Sequence, residues 1–165
     1  KAKWHKFIYK EYMSKITKTG TAGIALIKRF ESFQAKPYRC PAGVPTIGYG
    51  ATFYPDRRRV AMTDAPITES AASDLLCSML TTFEQYVDSY CVDTLTQNQF
   101  DALVSFCYNL GPANLKASAL LKKVNANPND ETIRAEFMKW TRAGGRQLKG
   151  LVARRTAEAD LYFAK

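Results

Sequence analysis

Apolar residues recur at helical spacing in several separated stretches of the chain, and the gaps between those stretches are rich in proline and glycine. Trp4, Phe7, Ile8 and Tyr12 stand among lysines at a spacing that predicts a basic amphipathic helix over 4–15. A second helix opens at Gly20-Thr21, with Thr21 as its expected N-cap; Ile24, Ile27 and Phe30 mark its buried face and Glu31 lies near its end. Pro37, Pro41, Gly43 and Pro45 then exclude helix, and "VPTIGYGATFY" reads as short strands around glycine turns, followed by an exposed loop, "YPDRRR". Pro66 and Thr68 introduce a long helix over about 68–90, with Leu75, Leu76, Met79, Leu80, Phe83 and Val87 on one side. Thr96 and Gln99 form a capping box ahead of "FDALVSFCYNLG", a helix that ends at Gly111. Shorter helices are expected near 115–125 and 130–142, a turn at "AGGRQLKG", and a closing helix from about 150 to 164.

This order predicts an α+β fold, mainly helical. A small lobe of helix and sheet covers about 20–67, a linking helix about 68–90 is long enough to bridge two lobes, and a helical lobe fills about 91–165. At 165 residues the chain can bury a core without disulfides. Residues 1–19 stand apart as a basic N-terminal segment. With six lysines against one glutamate, residues 1–18 carry over half of the net charge of +9. Its helix either packs on the domain, lies on an anionic membrane surface through residues 1–15, or is an appended cationic tag. No apolar run reaches the roughly 18 residues of a membrane span, and no signal peptide is read.

The basic balance favours a polyanionic partner: nucleic acid, anionic lipid or an acidic cell-wall polymer. The four cysteines, Cys40, Cys77, Cys91 and Cys107, form no C-x-x-C pair, and His5 is the single histidine, so neither a metal site nor any cofactor is expected. Cys77 and Cys107 fall in apolar helical patterns and are expected to be inert core thiols; disulfides stay open for a protein acting outside the reducing cytoplasm.

One stretch carries candidate chemistry. In "ESFQAKPYRCPAGVPTIGYG" a carboxylate, Glu31, is followed by a thiol, Cys40, and a hydroxyl, Thr46. Glycoside hydrolysis needs a proton donor on the leaving oxygen and a second group on the other face of the sugar. A helix-end Glu31 suits the first role. Cys40 suits the second only when ionised, and a free thiol titrates near about 8.5, so it needs help from a cation such as the adjacent Arg39 or from a helix N-terminus. Thr46 can hold a water. Read from spacing alone, Glu31 is more often a solvated surface charge and Cys40 more often an incidental thiol.

The order Glu31, eight residues, Cys40, five residues, Thr46 resembles the pattern of the phage-type lysozymes of glycoside hydrolase family 24. That family usually has Glu and Asp at this spacing; "PYRCPAGVPTIGYG" is similar to a subset of endolysins with Cys in the Asp position. "QFDALVSFCYNLG" and "WTRAGGRQLKGLVARRTAEADLY" resemble further elements of the family, so the likeness runs over roughly 20–164. The resemblance implies a lysozyme-like two-lobe fold, a lysozyme domain over 20–165, and catalysis by Glu31, Cys40 and Thr46. It implies an ion pair between Glu31 and Arg155, with Arg154 as the alternative, and substrate contacts from Tyr108 and Asn109, which read equally as core-helix residues. Ala51 stands where some relatives have a histidine. Phe33 stands where some Cys-type relatives have a second cysteine that can lock the catalytic thiol, which excludes that route of caging. Residues 1–19 match no element of the family.

The function implied is that of a muramidase: an endolysin that hydrolyses the β-1,4 bond between N-acetylmuramic acid and N-acetylglucosamine in peptidoglycan and lyses the host. It would be made in the host cytoplasm, act on the cell wall, and work as a monomer. Cys40 would activate water and invert the anomeric centre, or attack the sugar itself. The alternatives are a catalytically weak or inactive peptidoglycan-binding relative, a nucleic-acid binder and a Cys-His protease. The nucleic-acid reading lacks any recognised motif, and the protease reading rests on His5 alone.

Overall fold

The computed structural model describes residues 15–91 and 95–165. Helix α1 (Thr21–Glu31) leads into an antiparallel hairpin of β1 (Gln34–Arg39) and β2 (Pro45–Gly48). The long helix α2 (Glu69–Tyr90) follows, then α3 (Gln97–Leu110), α4 (Pro112–Ala117), α5 (Ala119–Ala126) and α6 (Ile133–Met138). A two-residue hairpin, β3 (Arg142–Ala143) and β4 (Arg146–Gln147), precedes the last helix, α7 (Lys149–Tyr162). This is the mainly helical α+β arrangement the pattern predicts, with a small hairpin lobe and a larger helical lobe.

Two apolar clusters define the lobes. Ile47, Ala51 and Val60 meet Leu75 beneath the hairpin. The larger cluster gathers Ile27, Leu76, Leu80, Val87, Phe100, Leu103, Phe106, Leu115, Leu120, Ile133, Phe137 and Tyr162. Helix α2 serves both: Leu75 faces the hairpin while Leu76, Leu80 and Val87 face the helical core. Its start is fixed by Thr68, whose side chain accepts from the Ala71 N–H. Helix α3 is the central strut. Gln99 through Cys107 are all buried, so its face is not amphipathic and its polar members must find partners inside.

Asp101, fully buried on α3, shows how this is done. Its carboxylate accepts from the backbone N–H of Gly20 at 2.9 Å and of Gly23 at 3.0 Å, and from Gln97 Nε2 at 2.7 Å. The start of α1 is thus capped by a residue of another helix, and Thr21, the expected N-cap, is instead its first residue. A Cβ on Gly23 would lie 2.7 Å from Asp101 Cγ, so only glycine lets the two helices meet so closely. Asp101→Ala leaves two helix-start donors buried and unmet; an expected loss of about 2–3 kcal/mol is checked by equilibrium denaturation.

Other local differences have simple causes. The 115–125 stretch breaks into two helices at Ser118, whose side chain caps α5 by accepting from the Leu121 N–H at 3.0 Å. Pro37 sits within β1, which a two-stranded hairpin tolerates because each strand has a free edge. Cys107 is buried and its thiol is pushed up to about 12, whereas Cys77 is exposed on α2, against expectation, because its position falls past the edge of the arc of buried residues that the helix presents. All four cysteines are free. The expected helix over 4–15 lies, but for Lys15, outside the described residues. Residues 15–19, grouped by sequence with the basic segment, are tied to α2: Lys15 pairs with Asp88 at 2.7 Å, Lys18 with Glu84 at 3.1 Å, and the Thr19 N–H donates to Glu84 at 2.8 Å. Among the described residues no helix is long and apolar enough to cross a membrane.

Candidate active site

Glu31 is the last residue of α1, and the chain leaves the helix at once through Ser32, at φ 60°. That turn puts the carboxylate at the seam between the lobes. From the hairpin side comes Gly50 and from the helical side Tyr108: a Cβ on Gly50 would stand 3.3 Å from the Tyr108 hydroxyl and 3.4 Å from Glu31 Oε2. Gly50 also has φ +94°, so any side chain there would be strained and would crowd the carboxylate. Tyr108 spans the seam, donating its hydroxyl to the Tyr49 carbonyl at 2.7 Å. Burial raises its pKa, and the Glu31 charge adds to the rise.

Cys40 follows β1 directly and is partly exposed at the mouth of the hairpin turn. The turn closes with the Cys40 N–H donating to the Val44 carbonyl at 3.0 Å and the Gly43 N–H to the Cys40 carbonyl at 2.7 Å. This folds the turn's amides back on the side chain. The backbone of Val44 lowers the thiol pKa most; burial opposes it with a smaller rise, and the Ala42 backbone and the Thr46 hydroxyl lower it further. Sequence adjacency suggested Arg39 for this task. Its guanidinium donates to the Gly43 carbonyl of the same turn instead, at 2.7 Å, and the groups that lower the thiol pKa do not include it. Thr46 is buried in β2, opposite Tyr38, and donates to the Val44 carbonyl at 2.9 Å. Its oxygen can still accept from a water or, by turning its one hydrogen, serve the thiolate.

Tyr38, which the sequence reading passed over, joins the two halves. Its pKa is raised first by burial, then by the charges of Glu31 and of Cys40. The charges of Glu31 and Cys40 are thus both felt at the same phenol, and Tyr38 is paired across the hairpin with Thr46.

The arginine on Glu31 is Arg154, not Arg155. Arg154 Nη1 lies 2.6 Å from Glu31 Oε1, with the arginine side chain 4% and the glutamate 22% exposed. The guanidinium also lies 5.8 Å from the Phe30 ring centroid. Arg155, one step and about 100° further around the helix, is directed to α3, where it lies over Phe106 and donates through Nη2 to Asn109 Oδ1. Burial pushes the Arg155 pKa down to about 10, opposed by Glu158. Glu158, one turn on, is fully buried between the two arginines. Its Oε1 lies 3.2 Å from Arg154 Nε and accepts from Ser105 Oγ at 2.7 Å; its Oε2 lies 3.1 Å from Arg155 Nε, at ion-pair distance but out of hydrogen-bond alignment. Burial raises its pKa and the two guanidiniums oppose the rise. The "RR-x-x-E" spacing, i to i+4 and i to i+3, was the available signal for this cluster. No group of three or more His, Cys, Asp or Glu among the described residues could hold a metal ion.

Arg154→Ala is therefore the informative arginine variant. It strips Glu31 of its partner and leaves buried Glu158 with one guanidinium. A loss of roughly 3–5 kcal/mol is expected in thermal unfolding.

Residues 28–158 match the model of the family described as phage lysozyme. The chain is 40% identical over 142 residues to an endolysin of Bacillus phage B103, covering 86% of this chain but about half, 52%, of that protein. It is 37% identical to an endolysin of Acyrthosiphon pisum secondary endosymbiont phage 1, covering 85% of this chain and 94% of the relative. Its fold is similar to a crystal structure of a P22 lysozyme mutant, with a TM-score of 0.81 at 31% identity, covering 90% of this chain and all of the other. The mainly helical two-lobe fold is thus lysozyme-like, and the chain belongs to the phage lysozyme family.

Proposed function

We propose that this chain is a peptidoglycan-degrading endolysin of the Cys-for-Asp kind within glycoside hydrolase family 24, a muramidase cutting the β-1,4 bond between N-acetylmuramic acid and N-acetylglucosamine. The observation that carries it is a carboxylate held by Arg154 at the seam between the lobes, with the Cys40 thiol at the closing turn of the hairpin that follows it. Glu31 delivers its proton to the glycosidic oxygen, and Arg154 holds the carboxylate that remains. Cys40, as thiolate, takes a proton from a water that Thr46 helps to hold. That water attacks the anomeric carbon from the opposite face, the C–O bond breaks, and the configuration inverts. Cys40 then returns its proton to solvent and Glu31 regains one, so the cycle closes with water as the only co-reactant.

Tyr108 and Asn109 line the helical side and contact the glycan. The net charge of +9 suits an acidic wall polymer. The site of action is the host cell wall, the consequence is lysis, and the enzyme works as a monomer without cofactor. The test is digestion of purified peptidoglycan with mass spectrometry of the products. New reducing ends on N-acetylmuramic acid support the reading; reducing ends on N-acetylglucosamine, or intact glycan strands with cut peptides, overturn it. Proton NMR of the fresh product separates inversion from a covalent thioglycosyl route, which would retain configuration.

A further inference from the structure

Four alternating charges and an amide stand in one line, three of the charges on the closing helix and the two ends on α1 and α3. It starts at Glu31, passes through Arg154 to Glu158, then through Arg155 to Asn109. Two positive and two negative charges cancel along it. Its middle is fully buried, while its two ends, Glu31 and Asn109, are partly exposed. Resting on the function proposed above, we infer that Glu158 is a positioning residue that sets both exposed ends at once, the acid through Arg154 and the glycan-contacting amide through Arg155.

The geometry supports each arm separately. A guanidinium has donors only, so Arg155 dictates which end of the Asn109 amide it meets: Oδ1 turns inward, and Nδ2 has no partner among the described residues. Asn109 thereby offers a donor to an acceptor on the glycan, a hydroxyl or an acetamido oxygen. On the other arm, Arg154 is held from behind by Glu158 through Nε and reaches Glu31 with Nη1. Two guanidiniums side by side on one helix repel one another, and Glu158 is the carboxylate that both share. Ser105 aims it, donating to Oε1, while Arg154 Nη2 lies 3.4 Å from the same serine's hydroxyl and carbonyl oxygens.

The test uses the whole chain with soluble peptidoglycan fragments, measuring kcat, KM and melting temperature. Glu158→Gln keeps the shape but leaves one uncancelled positive charge and turns a donor toward a donor. It is expected to lower kcat by about 10²-fold, the scale of a small misplacement of a catalytic group, and to raise KM about tenfold, the scale of one lost hydrogen bond. Asn109→Ala should raise KM by a similar factor, and adding it to Glu158→Gln should raise KM no further. Replacing Arg155 by Met in the Glu158→Gln background restores charge balance around Arg154. That pair should regain much of the lost kcat while KM stays high, a split that a merely structural role would not produce. If the Glu158 variants fail to fold, Ser105→Ala decides, since it removes only the hydroxyl that aims the carboxylate: a several-fold fall in kcat/KM supports the inference. Multiplying KM effects, a charge-balanced pair no better in kcat than Glu158→Gln, or parent kinetics in Ser105→Ala overturn it. Failure of the function itself would look different: the parent would release no reducing ends, or Glu31→Gln would remain active.

Discussion

Glu31→Gln abolishes the release of reducing ends from peptidoglycan while the chain stays folded. The amide is nearly the same size as the carboxyl, and its oxygen can still accept from Arg154 Nη1, which lies 2.6 Å from Glu31 Oε1. What it cannot do is give a proton to the leaving oxygen, a step worth typically ~10²–10⁴-fold. Loss of the negative charge leaves Arg154, Arg155 and Glu158 with a net positive charge, so a modest fall in melting temperature accompanies the kinetic loss. Circular dichroism and thermal unfolding establish that the protein is folded, and a reducing-sugar assay measures turnover. Near-parent turnover from a folded Glu31→Gln protein would remove the proton donor from the proposed mechanism. The same protein is the proper background for measuring substrate affinity, because the tie to Arg154 persists.

The candidate site was picked out by the resemblance of its motif, and its residues are close in sequence. Glu31, Cys40 and Thr46 lie within one helix-end and one hairpin, where chain connectivity itself fixes their relation: a helix stop at Ser32, six strand residues, a tight turn, and a return strand. The capping residues Thr68 and Thr96 were legible for the same reason, since their partners lie three residues away. The partner of Glu31 was not. Arg154 and Arg155 are adjacent and chemically identical, and the choice between them depends on how α7 is rotated against α1 and α3, which only tertiary packing sets. Thr21 lost its expected capping role by the same kind of effect, displaced by Asp101 from 80 residues away in sequence. The support for the Cys40 thiol was misread toward Arg39 because the guanidinium is taken up by the Gly43 carbonyl, whereas the Val44 and Ala42 backbone of the turn lowers the thiol pKa.

That turn makes the behaviour of Cys40 predictable by substitution. Cys40→Ser and Cys40→Asp part company. Serine fits the space, but its hydroxyl does not ionise in the working range, so backbone amides that favour an anion there find none to stabilise; a loss of about 10²-fold or more is expected. Aspartate supplies the anion outright. Its carboxylate is charged above about pH 4, and the same amides and the Thr46 hydroxyl that lower the thiol pKa favour it too. Cys40→Asp therefore keeps substantial activity. The pH dependence carries the sign. A base must be deprotonated to work, so the parent's activity rises as pH rises through the pKa of Cys40, which the turn holds below the ordinary thiol value. In Cys40→Asp that rising limb moves to more acid pH, because the carboxylate loses its proton earlier. Thiol alkylation separates the two again: the partly exposed Cys40 of the parent is blocked, whereas Cys40→Asp is not. Exposed Cys77 reacts in both proteins and so supplies an internal control for labelling, to be read by mass spectrometry. If Cys40→Ser matches the parent and alkylation at Cys40 leaves turnover unchanged, the thiol has no part in the chemistry. The group on the far face of the sugar would then have to be Thr46 and its water alone.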